Sequence, residues 1–261
     1  MLGAIIGDLA GSIYEFDQFQ KVKKVKIKNL IEEGAFFSDD TILTVAIADA
    51  ILSGKSYEEK LKEYVLKYKD KLPKFEPYFK NMFSPRFANW AEGKIAGDST
   101  GNGCMMRISP VANLFNSEEQ VIENARLATS PSHNTDEAIS CATTIALIIF
   151  YLRKGLTKKE IIKKLELKIK KPKIKVFNYN ASETIDLCLY SFFRSKSFED
   201  AIRLAISFGG DTDTNACIVG SMAEAMYGIP PQLREQALSK LPKEFISVIK
   251  KFEKRALTAQ K

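Results

Sequence analysis

Carboxylates and hydroxyls crowd together at two places near opposite ends of this chain. One is Ser38-Asp39-Asp40-Thr41, and the other is Gly209-Gly210-Asp211-Thr212-Asp213-Thr214. Two ionised carboxylates about 4 Å apart repel by roughly 4 kcal/mol at an effective dielectric of 20. A fold that gathers such groups beside apolar helices therefore needs positive charge between them. Oxygen donors with no thiolate or imidazole nearby suit a hard divalent ion such as Mg²⁺ or Mn²⁺, so these residues read as those of a metal enzyme. Each cluster also opens a helix-like apolar stretch, where Ser and Asp are ordinary N-caps. Two consecutive aspartates flanked by two hydroxyls exceed what a cap requires. A calcium loop built on Asp211, Asp213 and Asn215 fails, because Ala216 holds its sixth position and Met222 its twelfth. An aspartyl-nucleophile phosphatase would place a hydrophobic strand where Gly209-Gly210 stands.

Three further segments carry residues suited to binding or proton transfer. In Ser99-Thr100-Gly101-Asn102-Gly103 the glycines would let backbone amides approach a ligand ahead of a helix bearing Met105, Met106, Ile108, Val111 and Ala112. That loop matches neither the dinucleotide fingerprint nor a phosphate loop ending in Gly-Lys-Ser/Thr, and a simple connection is the competing reading. His133 is the sole histidine, which excludes a multi-histidine metal centre. Asn134 after it counts against an HD-type phosphohydrolase, leaving a place in a cap or a contact with substrate. Glu15 closes the run Gly7-Asp8-Leu9-Ala10-Gly11-Ser12-Ile13-Tyr14-Glu15. It is either a solvated helix end or, beside a metal, a group able to bind or deprotonate water.

The elements that must position these residues are helical almost throughout. Asp40 to Leu52 is apolar nearly all round and reads as a buried helix. Ser56 to Lys69 has the 3.6-residue period of a surface helix. Ser117 with Gln120 marks a capped start. A long helix capped by Asn134 or Thr135 runs through Tyr151 to end near Gly155, and Thr157 opens another that stops before Pro172. Further helices are expected over Ala181 to Arg194, Ser197 to Phe208, Asp213 to Tyr227, Pro231 to Leu241 and Lys243 to Leu257. Val22 to Ile27 and Lys173 to Phe177 alternate, but interleaved lysines make them exposed edges or extended loops. The expected architecture is all-α, a single compact multi-helix domain over residues 1–261.

Composition bounds the function classes. A hydrophobic share of 45% and a charged share of 27% fit a soluble globular domain with a sizeable core. The net charge of +7 is carried mostly by lysine; it permits a polyanionic or nucleic-acid partner and requires neither. Cys104, Cys141, Cys188 and Cys217 are widely spaced among small and apolar residues, as reduced core thiols are. The N-terminal apolar run has no basic leader and meets Asp8 at once, so no signal peptide is expected. Ala138 to Leu152, the most apolar stretch, falls short of the ~20 residues that span a bilayer. A cytoplasmic monomer without membrane association is expected.

Taken together, the segments resemble the ADP-ribosylglycohydrolase family, which includes dinitrogenase-reductase-activating glycohydrolase and the ADP-ribosyl-acceptor hydrolases. Gly7-Asp8-x-x-Gly11-Ser12-x-x-Glu15, Ser38-Asp39-Asp40-Thr41, Gly101-Asn102-Gly103-x-x-Met106-Arg107, His133 and Gly210-Asp211-Thr212-Asp213-Thr214 carry the likeness in order. It implies two Mg²⁺ or Mn²⁺ ions at the base of an ADP-ribose cleft, with Ser38, Asp39, Asp40, Asp211, Asp213 and Thr214 as ligands. Ser38 departs from the family's usual threonine and keeps the hydroxyl. The resemblance places Glu15 near the metals and Ser99, Thr100, Gly101, Asn102, Gly103 and His133 along ADP-ribose. It makes Glu15, Asp39, Asp40 and Asp98 the carboxylates from which a general base is drawn, and it gives the loop amides the pyrophosphate to hold. The implied reaction is hydrolysis of the bond between ADP-ribose and an acceptor, either a protein side chain such as arginine or a small molecule. A non-catalytic ADP-ribose reader and a metal-dependent phosphohydrolase are the competing functions.

Overall fold

Apolar segments too long and too uniformly buried for loops set the centre of the molecule. The computed structural model describes residues 1–70 and 83–259. Among them run α1 (Leu2–Glu15), α2 (Asp39–Ser53), α3 (Tyr57–Tyr68), α4 (Pro85–Ala91), α5 (Gly103–Met106), α6 (Ser109–Leu114) and α7 (Glu118–Thr129). The second half holds α8 (Asp136–Arg153), α9 (Lys158–Lys164), α10 (Ala181–Arg194), α11 (Phe198–Ser207), α12 (Thr212–Tyr227), α13 (Pro231–Ser239) and α14 (Lys243–Ala259). The fold is all-α. Ile5, Ile6 and Leu9 of α1, Ile42, Leu43 and Ile47 of α2, Ile145 and Ile149 of α8, and Ile218, Val219 and Met222 of α12 are buried in one continuous core. The amphipathic helices α3, α7, α11 and α14 pack around it with their charged faces outward. No helix among the described residues is long and apolar enough to cross a membrane.

Side-chain caps fix the starts of seven of the fourteen α-helices described. Ser117 accepts from the amide of Gln120, Thr135 from that of Ala138, and Thr157 closes a capping box with Glu160. The lysine-rich segments 22–27 and 173–177 form no strand; they are extended loops, and among the described residues strand-like pairing is confined to the isolated bridges Asp98–His133 and Gly101–Asn180. All four cysteines are free and buried. One expectation is corrected. The helix after Gly103 breaks at Arg107–Ile108 into α5 and α6, because Pro110 offers no amide hydrogen and its ring would clash with the carbonyl one turn earlier.

Among the described helices, α1 and α12 share the most extensive contact, and glycine makes its closeness possible. A Cβ on Gly7 would lie 2.0 Å from the carbonyl oxygen of Ala216, and one on Gly11 would lie 2.3 Å from that of Thr212. Thr212 Oγ1 donates to Gly11 O at 2.8 Å, pinning the contact at its functional end. The helices run side by side, so the C-terminal end of α1 meets the N-terminal end of α12.

Candidate functional site

That contact brings Glu15, at the last residue of α1, beside Asp211 and Asp213 at the start of α12. Carboxylate oxygens of the three residues lie within 4.8 Å of one another. Gly209 and Gly210, both with positive φ (74° and 78°), turn the chain into α12, a path that a Cβ would strain. The N-terminus of α2 closes the same space. Asp8, buried two turns before Glu15 on α1, accepts from the amides of Ser38 at 2.9 Å and Thr41 at 3.1 Å, and from the Thr41 hydroxyl. Ser38 Oγ accepts from the Asp40 amide at 3.1 Å and so caps α2. Thr214 Oγ1 donates to Asp40 Oδ2 at 3.1 Å, tying the two acidic clusters together across the core. Two helix N-termini, each with a partial positive charge, thus converge on one group of acids.

Their own charge is not neutralised by that. None of Asp8, Glu15, Asp39, Asp40, Asp211 and Asp213 takes part in an ion pair among the described residues. Burial drives every one of their carboxyls above the ordinary range, and for Glu15, Asp39, Asp40 and Asp213 repulsion by neighbouring acids adds to it. Asp39 is pushed up to about 8 by burial and then by Asp8 and Asp211. Asp8 rises to about 6 by burial, held back by its bonds to Thr41 and Ser38. Glu15, Asp40 and Asp213 lie well above the ordinary range, again chiefly through burial. Asp211 is raised too, but bonds including that from Asn102 Nδ2, at 2.6 Å, restrain it. Among the described residues, Oδ1 of Asp8 and Oδ1 of Asp40 are buried with no hydrogen-bond partner. Converging carboxylates, an all-oxygen donor set and an orphaned Asp40 oxygen fit a hard divalent cation, which would relieve the repulsion and fill the vacant coordination.

The acids form one wall of a cavity of about 480 Å³. Ser99, Gly101, Asn102, Gly103, Arg107 and His133 line another, and Phe16, Phe19, Phe36, Phe177 and Tyr179 also face it. Segment 97–102 is strung between two neighbours. Asn134 N donates to Gly97 O at 2.7 Å and Ser99 N to Ser132 O at 3.2 Å on one side; Asn102 N donates to Tyr179 O at 2.7 Å and Ala181 N to Thr100 O at 2.9 Å on the other. In such an extended run successive side chains alternate. Ser99 turns into the cavity, while Thr100 is exposed and bonds Asn180, and Asp98 is 62% exposed and paired with Arg86.

The structure therefore gathers Glu15, Ser38, Asp39, Asp211, Asp213 and Thr214 with Ser99, Gly101, Asn102, Gly103 and His133 around one space, and sets Asp40 just beneath it. It does not bring Asp98 or the Thr100 side chain there. Three of the five loop amides are engaged within the protein: those of Ser99, Gly101 and Asn102 donate to Ser132 O, Ser99 Oγ and Tyr179 O. Sequence reasoning gave no role to Asp8, Arg107 or Phe87. A carboxylate and a guanidinium set in otherwise apolar runs were the available signs for the first two; nothing local marks Phe87.

Comparison with known proteins places this geometry. A family model described as ADP-ribosylglycohydrolase matches residues 1–260. The ADP-ribosylarginine hydrolase Tri1 of Pseudomonas putida (strain GB-1) is 24% identical, over 90% of this chain and 72% of its own. ADP-ribosylhydrolase ARH3 of Mus musculus is 21% identical, over 88% and 83% respectively. Among solved structures, a chain described as an ADP-ribosylglycohydrolase-related protein complex superposes with a TM-score of 0.67 at 20% identity, over 99% of this chain and 94% of that one. At that identity the superposition supports the fold.

Proposed function

Because the chain belongs to the ADP-ribosylglycohydrolase family, we propose that it is a metal-dependent hydrolase that cleaves the glycosidic bond between ADP-ribose and an acceptor, releasing ADP-ribose. The observation that carries this reading is the meeting of Glu15, Asp211 and Asp213 within 4.8 Å on the wall of a 480 Å³ cavity. Such a floor would hold Mg²⁺ or Mn²⁺ through Ser38, Asp39, Asp40, Asp211, Asp213 and Thr214. A divalent ion there would grip ribose hydroxyls and orient or acidify a water.

The chain's own residues do the rest. Among the acids that line the cavity, Asp39, Asp211 and Asp213 stand at helix starts, whose amides favour their charge, whereas Glu15 ends a helix, so Glu15 takes the proton of the attacking water. The bond to the acceptor breaks as positive charge builds on the ribose ring, in an oxocarbenium-like transition state. The surrounding carboxylates favour that charge, and Asn102 keeps Asp211 aimed through its 2.6 Å bond. Ser99, Asn102, Gly103 and His133 on the facing wall hold the ADP-ribose moiety. An acceptor such as the arginine side chain would lie at the open side of the cavity, by the exposed Tyr179.

A release assay tests this directly. Protein labelled with ADP-ribose on arginine or serine, and O-acetyl-ADP-ribose, would each be incubated with the enzyme, with Mg²⁺, Mn²⁺ or chelator. Free ADP-ribose with an intact acceptor, dependent on metal, is expected from at least one of them. Binding without any product would make the protein a reader, and released phosphate would make it a phosphohydrolase.

A further inference from the structure

His133 is the sole histidine of the chain, and it is 3% exposed behind the glycines of the cavity wall. Its Nδ1 lies 2.8 Å from the hydroxyl of Ser132. That hydroxyl is in turn 2.7 Å from Nη2 of Arg107, which also donates to the carbonyl of Ala128 at 3.2 Å. A guanidinium has only donors, so Ser132 Oγ must accept from Arg107. The hydroxyl then has one proton to give, and among the described residues His133 Nδ1 is the acceptor it reaches. The opposite arrangement, with the proton on Nδ1, would make Ser132 accept twice and leave its buried O–H with no acceptor, which is disfavoured.

The ring edge bearing Nε2 faces the other way. A Cβ on Gly101 or Gly103 would fall 3.7 or 3.6 Å from Nε2, and no described residue accepts a hydrogen bond from it. Arg107 is wholly buried, with Nε and Nη1 unpartnered, and its guanidinium carbon lies 5.4 Å from the centre of the Phe87 ring. No carboxylate pairs with this cation among the described residues, so the hydroxyl of Ser132 is the side-chain group it acts through.

We propose that Arg107 and Ser132 are positioning residues that hold His133 as the neutral Nε2–H tautomer, so that it donates a hydrogen bond to a ligand oxygen in the cavity. The donor role rests on the reading of the cavity as an ADP-ribose site; the tautomer does not. Burial, and then the nearby Arg107 and Arg86 cations, also keep the imidazole well below its ordinary titration range. A neutral donor has a consequence that an imidazolium would not: it binds a phosphate or ribose oxygen without placing a second cation beside a sugar that itself becomes positive.

With one histidine, an imidazole ¹⁵N–¹H correlation spectrum of the uniformly labelled, Mg²⁺-loaded protein contains one ring system. At pH 7 it should have a protonated, pyrrole-type Nε2 and an unprotonated, pyridine-type Nδ1. A ring protonated on Nδ1, or on both nitrogens, would overturn the proposal without any variant being made. Saturation with ADP-ribose should shift Nε2 and leave Nδ1 pyridine-type; an unmoved Nε2 at saturation would overturn the donor role. Ser132→Ala and Arg107→Gln should each mix the tautomers and weaken ADP-ribose binding about tenfold, the scale of one hydrogen bond, and Ser132→Thr should restore both. Weakened binding with the tautomer unchanged in Ser132→Ala would reduce these residues to packing and overturn the relay. Failure of ADP-ribose to bind at all, with the tautomer as stated, would instead overturn the functional reading and the donor role that rests on it.

Discussion

Asp39 illustrates what the site demands of a single residue. It needs a cation or a proton: burial and its acidic neighbours push its carboxyl up to about 8, and burial pushes that of Asp8 up to about 6, against 3.8 for an ordinary aspartate. A value raised in the folded state favours folding when the group is protonated. That contribution is fully present below about pH 4 and is lost as pH rises through 6 and then 8. Chelated protein should therefore melt at progressively lower temperature from pH 5 to pH 9, and excess Mg²⁺ should flatten the slope, as calorimetry would record. A melting temperature that rises with pH in chelator would contradict the electrostatic account. Glu15 and Asp98 separate at the same scale. Glu15→Gln should lower the rate of ADP-ribose release by about 10²- to 10⁴-fold, as loss of a general base does. Asp98→Asn should leave it within about twofold, since an exposed ion pair contributes little; equal losses would show that the exposed aspartate enters the site after all. The clusters Ser38 to Asp40 and Asp211 to Asp213 stood out in the sequence because paired carboxylates flanked by hydroxyls exceed what a helix cap requires, and the structure brings the two together around one cavity. Asp98 was misplaced because sequence adjacency to the 99–103 loop says nothing of which way alternate side chains point.

The helices make the site by how closely they can approach. Gly3, Gly7 and Gly11 recur every four residues on α1, and a Cβ at Gly7 would stand 2.0 Å from the Ala216 carbonyl. Gly7→Ala would have to push α1 off α12. It should destabilise the fold by about 3 kcal/mol, the upper part of the range for overpacking, measured by urea unfolding. It should also weaken divalent-metal binding, because Glu15 would retreat from Asp211 and Asp213. Loss of stability with metal affinity intact would mean that the helix contact does not set the ligand geometry. Most of these helices could be read from periodicity and capping residues; Ser117, Thr135 and Thr157 each cap as their sequences indicate. The division of α5 from α6 was legible at Pro110 and passed over, because the apolar pattern from Met105 to Ala112 continues smoothly through the break. Which helix faces which was not legible, since Gly7 and Gly11 permit a close neighbour without saying that it is α12.

At the scale of the whole molecule, residues distant in sequence become one oxygen-lined space because α1, α2 and α12 share a core. The all-α fold and the family were both readable, the first from long apolar helices with few turns, the second from the order of the acidic motifs along nearly the full length. The cavity's other wall was less so: segment 97–102 is fixed by backbone bonds to residues 132–134 and 179–181, pairings with no trace in local composition. The central claim is that this shared space binds a divalent cation through acids from both ends of the chain. Titration of Mn²⁺ into the protein, followed by electron paramagnetic resonance of the free ion, tests it most directly. Wild type should bind Mn²⁺ saturably. Asp213→Asn should bind at least about 10²-fold more weakly, since changing even an outer-shell partner commonly costs up to that much, while its circular dichroism spectrum stays helical. Mn²⁺ binding undiminished in Asp213→Asn, or absent in wild type, would contradict the account.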